Sequence, residues 1–344
     1  MNNNGRTLAR ARTLRHPMGY SVETPLLVPS FSSCANLPAV EYVTVCTRDL
    51  LEGTCEQLTE SFLVSAFDIA KGHIPVPEEF GATPQLTIVD SGGFESLVIS
   101  TDAPSSGGAW TEAGYREVMN QWPRRFPAAF VSFDSPTTRV PYEEQVARAR
   151  DLFAHHRAQM SIFLLKPQSL DERGLGAVLD RVCNDPGAIG DFDILGATEK
   201  ELGGSLVDRM TSIARLRLAL DAASISAPIH VFGGLDPLST YAYFLAGAEV
   251  FDGLSWLRYG YHNGLAIYVQ NDWLLATDGA LSDSTAYFRM VLQNICYLTK
   301  MRNEMQRFTI EHSFDRLETV KDCGRALERA FDMLKTRPCL KGRL

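Results

Sequence analysis

The feature that most constrains this chain is an alternation. Short buried apolar runs are separated by amphipathic helical stretches from Thr24 to Asp252, with no break in composition. Thr24–Phe31, Leu86–Val89, Ala128–Asp134, Ser161–Leu165, Phe192–Leu195, Pro228–Phe232 and Val250–Gly253 read as strands. Thr111–Trp122 (Thr111 as N-cap), Tyr142–His156, Leu170–Val182, Leu206–Ala222 and Pro237–Ala246 read as helices, and Arg48–Phe67 has mixed helical character. Such alternation makes the strands parallel and the helices crossovers. Seven units in series favour an α/β fold closed as a (β/α)8 TIM barrel over an open sheet. Pro25 and Pro29 cannot donate to a ladder, so they are expected at the ends of the first strand or at a bulge.

A chain of 344 residues exceeds one ordinary domain. The barrel is expected over residues 1–275, with a C-terminal helical extension over 276–344. Ser282–Met305 and Phe314–Lys335 are its helices, and Lys335, Arg337, Lys341 and Arg343 make a loose basic tail. No apolar run of about 18 residues occurs, so no membrane partner is expected. Met1–Arg15 carries four arginines and lacks the apolar core of a signal peptide. Seven scattered cysteines suit a reducing cytoplasm. Without a Cys-x-x-Cys, neither a zinc subdomain nor any other metal site is expected. Cys296 reads as a core residue on a helix and His312 as a surface or capping histidine. The net charge of −8 argues against nonspecific nucleic-acid binding. Local basic stripes are left as candidates: the N-terminal arm, Arg124-Arg125 and the tail.

In such barrels the site lies at the carboxyl ends of the strands. Here those ends read Asp90-Ser91, Asp134, Lys166, Gly196, Gly233-Gly234 and Asp252, so three carboxylates, a lysine and glycines converge. In Asp90-Ser91-Gly92-Gly93-Phe94 the glycines let backbone approach a flat ligand, and Phe94 offers it a stacking face. Three aspartates suit chemistry at a sugar carbon: one attacks C1′, one handles protons, one hydrogen-bonds a base edge. Magnesium is the competing use of clustered aspartates, but no Gly-x-x-x-x-Gly-Lys loop accompanies them. Ser100–Trp110, rich in Gly, Ser and Pro, reads as a mobile lid.

Two motifs carry a family resemblance. Asp90-Ser91-Gly92-Gly93-Phe94-Glu95 resembles the Asp-Ser-Gly-Gly-Phe-Gln motif of the tRNA-guanine transglycosylase superfamily. His230-Val-Phe-Gly233-Gly-Leu-Asp-Pro237, followed by Ala246-Gly-Ala-Glu249-Val-Phe-Asp252, resembles that family's Gly-rich strand and Gly-Ala-Asp-x-Phe-Asp segment. The resemblance spans residues 20–265. It implies Asp252 as the nucleophile that displaces guanine and holds the sugar covalently, with no cofactor. Asp90 is then the proton-handling carboxylate, and Ser91 contacts the base. Asp134 reads guanine N1 and the 2-amino group, Phe94 and Phe232 sandwich the purine, and Gly196 offers a backbone N–H to O6.

The chain also departs from that pattern. Lys166 stands where the family has glutamine before a glycine pair, and still donates to O6. Glu95 replaces the motif's glutamine, and the Cys-x-Cys-x-x-Cys…His zinc subdomain that seats tRNA is missing from the sequence. Asp193–Gly203 and Trp256–Gly260 look closer to the DNA-modifying, DpdA-type branch. That implies exchange of guanine in single-stranded or opened DNA for a 7-deazaguanine such as preQ0, with a helicase-like or operon-encoded partner. Glu199 and Glu201 read either as contacts to the 7-substituent or as acids balancing a helix dipole. Arg258 and Tyr259 read as a phosphate grip and a stacking face for a neighbouring base, or as rim residues of the core. The alternatives are the same chemistry on tRNA, a nucleoside or a modified protein in an anti-phage defence operon, and a non-catalytic 7-deazaguanine-binding subunit.

Overall fold

Backbone polar groups in the apolar runs are satisfied by pairing the runs side by side. In the computed structural model, which describes residues 7–35, 46–102, 110–135, 137–276 and 283–344, the chain begins with an antiparallel hairpin. Its strands are β1 (Thr13–Arg15) and β2 (Ser21–Glu23). There follow β3 (Leu26–Phe31), β4 (Ser61–Ser65), β5 (Leu86–Asp90), β6 (Ala128–Val131), β7 (Met160–Leu165), β8 (Ile194–Thr198), β9 (Ile229–Phe232) and β10 (Val250–Gly253). Each pairs in parallel with the next, and β10 closes on β3, so the eight strands form a barrel with helices around it. The expected (β/α)8 fold with a C-terminal helical region is what the chain forms.

Side chains alternate across each strand, so residues two apart share a face. Leu26 and Val28, Leu86 and Ile88, and Met160, Ile162 and Leu164 fill the barrel interior. Their odd neighbours, such as Leu27, Val89 and Phe163, pack outward under the helices. Leu14 and Val22 of the hairpin join the inner cluster and cap the amino end. His16 bolts the hairpin there, its Nε2 lying 3.1 Å from the Ala128 carbonyl and 3.0 Å from Gln159 Oε1.

Strand β4 lies inside Arg48–Phe67, the stretch expected to have mixed helical character. The helix Thr47–Thr54 is there, but Ser61–Ser65 is buried at every position. A fully buried strand shows no alternation and resembles a helix fragment. Pro29 sits inside β3 rather than at its end. It is tolerated because β3 pairs with β4 only from Ser30 onward. β6 stops at Val131, which puts Asp134 on the following loop, and β8 runs on to Thr198. Helix starts obey their caps: Thr111 accepts from the Gly114 N–H and Ser205 from that of Asp208.

Beyond β10 the chain makes an unforeseen hairpin, β11 (Tyr259–His262) and β12 (Leu265–Tyr268), and the helix Val269–Ala276, which straddles the expected 275/276 boundary. The helix Asp283–Glu311 then lies along the barrel. Its Asn294 accepts from the Tyr261 N–H and donates to the Trp256 and Tyr259 carbonyls. Arg302 reaches the Pro25 and Glu23 carbonyls. Phe314–Lys335 is broken into short turns followed by the helix Gly324–Lys335. The tail is not loose: Leu340 is fully buried and Arg337 pairs with Asp208 at 2.7 Å. Cys296 is exposed, not core, and His312 ends its helix at φ +51°. Residues 103–109 of the expected lid lie outside the described residues. Among the described residues no helix is long and apolar enough to cross a membrane.

Candidate functional site

The inward period that fills the barrel with Leu, Ile and Val turns polar at its carboxyl end. Continuing by twos, Leu26 and Val28 lead to Ser30, Leu63 to Ser65, Ile88 to Asp90, Leu164 to Lys166 and Val250 to Asp252. Ser30, Asp90, Lys166 and Asp252 open on a cavity of about 460 Å³, and Ser65 lies behind them on Glu95. Asp252, Asp90, Ser91, Phe94, Asp134, Lys166, Phe232, Gly233, Arg258 and Tyr259 line the cavity; Gly196 and Gly234 do not.

Asp252 is buried in a cradle of three donors. Ser30 Oγ donates to Oδ2 at 2.8 Å, and on Oδ1 lie His230 Nε2 at 3.0 Å and the Gly233 N–H at 3.3 Å. Ser30 and His230 were not singled out by the sequence reading. The signal was available, because Ser30 follows Val28 and His230 precedes Phe232 by two on inward faces.

Asp90 has the opposite environment. Among the described residues its one hydrogen-bond donor is the Gly92 N–H at 3.2 Å. Burial, then the charge of Glu95, and further those of Asp252 and Asp134, push its carboxyl up to about 7. Glu95 is itself buried and raised, by burial first and then by Asp68. It accepts from the Ser32 and Ser65 hydroxyls.

Asp134 reaches the cavity but is not an open acceptor. Arg139 Nη1 lies 2.8 Å from Oδ1 and Lys166 Nζ 3.1 Å from Oδ2. Lys166 also meets Glu201 Oε1 at 3.0 Å, making a chain Arg139–Asp134–Lys166–Glu201. Arg139 was another omission; it lies on the loop after β6, where no period reports orientation. Glu201 Oε2 is buried without a hydrogen-bond partner. Glu199 by contrast is taken up by Tyr243 at 2.6 Å and Arg209 at 2.8 Å. Ser91 is turned to scaffolding: its Oγ accepts the Asp134 N–H and its carbonyl accepts from Trp110 Nε1.

Phe94 stands half-exposed on the rim and Phe232 is buried in the floor. The Phe232 ring stacks on His230 at 3.8 Å and 28°. Gly196 makes room for that ring, since a Cβ there would come within 2.5 Å of Phe232 Cε2. It lies mid-strand, paired with Leu164 and His230, two residues short of the β8 end, so its expected contact with a base is replaced by a packing role. Gly234 turns its carbonyl to Thr240 Oγ1. Arg258 is anchored to the Ala35 and Cys34 carbonyls at 2.7 and 3.2 Å, which makes it a rim residue. Tyr259 packs against Tyr268 at 5.2 Å.

Among the described residues no three His, Cys, Asp or Glu side chains are grouped to hold a metal ion. No family model matches the sequence, and comparison with curated proteins returns no match.

Proposed function

We propose that the protein is a base-exchange glycosyltransferase that replaces guanine in DNA with a 7-deazaguanine through a covalent aspartyl-sugar intermediate. One observation carries the reading: two carboxylates share one cavity in contrasting surroundings. Asp252 has three hydrogen-bond donors on its carboxylate, whereas Asp90 is pushed up to about 7 by burial and neighbouring acids. Separated environments of this kind assign a nucleophile and a proton carrier. Asp252 attacks C1′ as the C1′–N9 bond breaks, and the base leaves with the electron pair and takes a proton from Asp90. The incoming base loses its proton to Asp90 and displaces Asp252 from C1′. Phe94 and Phe232 offer faces for a planar base, and an extruded nucleotide is required for access.

Asp134 is held between Arg139 and Lys166, so on this reading a guanine edge competes with those cations for its oxygens. Glu201 lines the cavity beside Lys166, and on this reading its carboxylate is the acid nearest in kind to what a 7-substituent with a donor needs. A second reading, the same exchange on a free nucleoside, is favoured by the pairing of Arg139, Lys166 and Arg258 within the protein.

The test is a denaturing gel after incubation with guanine-containing single-stranded DNA, tRNA or nucleoside. A DNA adduct that disappears in Asp252→Asn is expected. An adduct with tRNA or nucleoside alone moves the acceptor, and no adduct with any of them overturns the base-exchange reading.

A further inference from the structure

Asp252 has a neighbour whose chemistry the exchange reading leaves unused. His230 is fully buried on β9, one strand away, with Nε2 3.0 Å from Asp252 Oδ1. Its other nitrogen, Nδ1, is buried with no hydrogen-bond partner among the described residues. A buried N–H without an acceptor is disfavoured, so the ring hydrogen belongs on Nε2, where a carboxylate receives it. Phe232, stacked on the ring at 3.8 Å, keeps the imidazole from swinging away.

We propose that His230 is a positioning residue for Asp252, fixing Oδ1 with its Nε2–H so that Oδ2 is the attacking atom. The inference rests on the base-exchange reading for its catalytic consequence. The donor count supports the choice of oxygen. Oδ1 receives His230 and the Gly233 N–H, whereas Oδ2 receives Ser30 alone and keeps a lone pair. As Oδ2 bonds to C1′ and the C1′–N9 electron pair leaves with the base, Oδ1 becomes the ester carbonyl. His230 and Gly233 go on donating to it, so the cradle need not reorganise during the step. The imidazole transfers no proton and touches no substrate.

Two measurements on the full chain test this. The first is nitrogen NMR of ¹⁵N-histidine-labelled protein, with the His230 signal assigned by its loss in His230→Gln. Hydrogen on Nε2 and a bare Nδ1 are expected; hydrogen on Nδ1 overturns the proposal. The second is single-turnover adduct formation with guanine-containing single-stranded DNA. His230→Leu is expected to slow it by about 10²-fold, the scale of losing one preorganised donor. The concentration dependence should stay within about threefold, because the substrate's own contacts are untouched. His230→Gln, whose amide N–H reaches the place of Nε2, should recover at least about tenfold of that loss. A folded His230→Leu that reacts at the wild-type rate, or a His230→Gln as slow as Leu, overturns the proposal. Wild-type protein that forms no adduct with DNA, tRNA or nucleoside overturns the exchange reading and the catalytic role with it. In that case the NMR tautomer still decides whether His230 holds Asp252.

Discussion

Asp90 differs from an ordinary carboxyl by what surrounds it rather than by what it is. Burial and the charges of Glu95, Asp252 and Asp134 favour its neutral form up to about 7. An unfolded aspartate loses its proton near pH 4, so between about 4 and 7 the unfolded chain holds fewer protons than the folded one. The stability contribution of Asp90 is therefore present below pH 4 and lost as pH rises through 7. Asp90→Asn removes that dependence. Its melting temperature should exceed the wild type's by more at pH 8 than at pH 4.5, as thermal denaturation at both values would show. The same change should lower exchange by roughly 10²–10⁴-fold. The rate of adduct formation by the wild type should fall above about pH 7, where Asp90 no longer carries the proton the leaving base needs. Gly196 gives a second prediction. Because its missing Cβ is replaced by the Phe232 ring, Gly196→Ala should cost about 1–3 kcal/mol in urea denaturation by overpacking.

At the level of elements, some barrel strands do two jobs with one period. In β3, β5 and β10 the inward face is apolar at first and polar at its last position, so each delivers one functional side chain to the cavity. β5 and β10 end in this way on Asp90 and Asp252. The C-terminal helices are fastened by a different device. Glu304, buried on the helix Asp283–Glu311, accepts from the Tyr241 hydroxyl at 2.9 Å, the Thr319 hydroxyl at 2.6 Å and the Thr319 N–H at 3.0 Å. Glu304→Ala removes the acceptor of the Thr319 N–H and hydroxyl, while Tyr241 keeps the Met301 carbonyl at 3.4 Å, and is expected to cost about 2 kcal/mol or more. Hydrogen exchange should then lose protection first at the Thr319 amide, before the barrel strands.

For the whole molecule, charge is sorted by end. Arg12 pairs with buried Glu249 at 2.6 Å and Arg10 with Asp221 at 2.8 Å, at the amino end of the barrel, away from the cavity. Arg125 faces Glu78 before β6, at that same end. Several arginines of the basic stripes left as candidates are thus paired with acids of the protein. Binding of a labelled single-stranded oligonucleotide, followed by anisotropy against salt, should give a shallow slope of fewer than about three phosphate contacts. What the sequence determined by itself was the barrel and most of the strand ends, because burial periodicity and strand–helix alternation are local patterns. From these Asp90, Asp252, Lys166 and Phe232 could be placed around one cavity. Strand β4 was hidden because complete burial erases alternation. Only the tertiary structure decided which polar groups are spent on one another. Arg139 and Lys166 hold Asp134, Ser91 supports the Asp134 backbone, Phe232 fills the place of a Gly196 side chain, and His230 and Ser30 hold Asp252. Those pairings join residues from different strands and loops, and a hydrogen bond between distant positions leaves no trace in the local pattern of either.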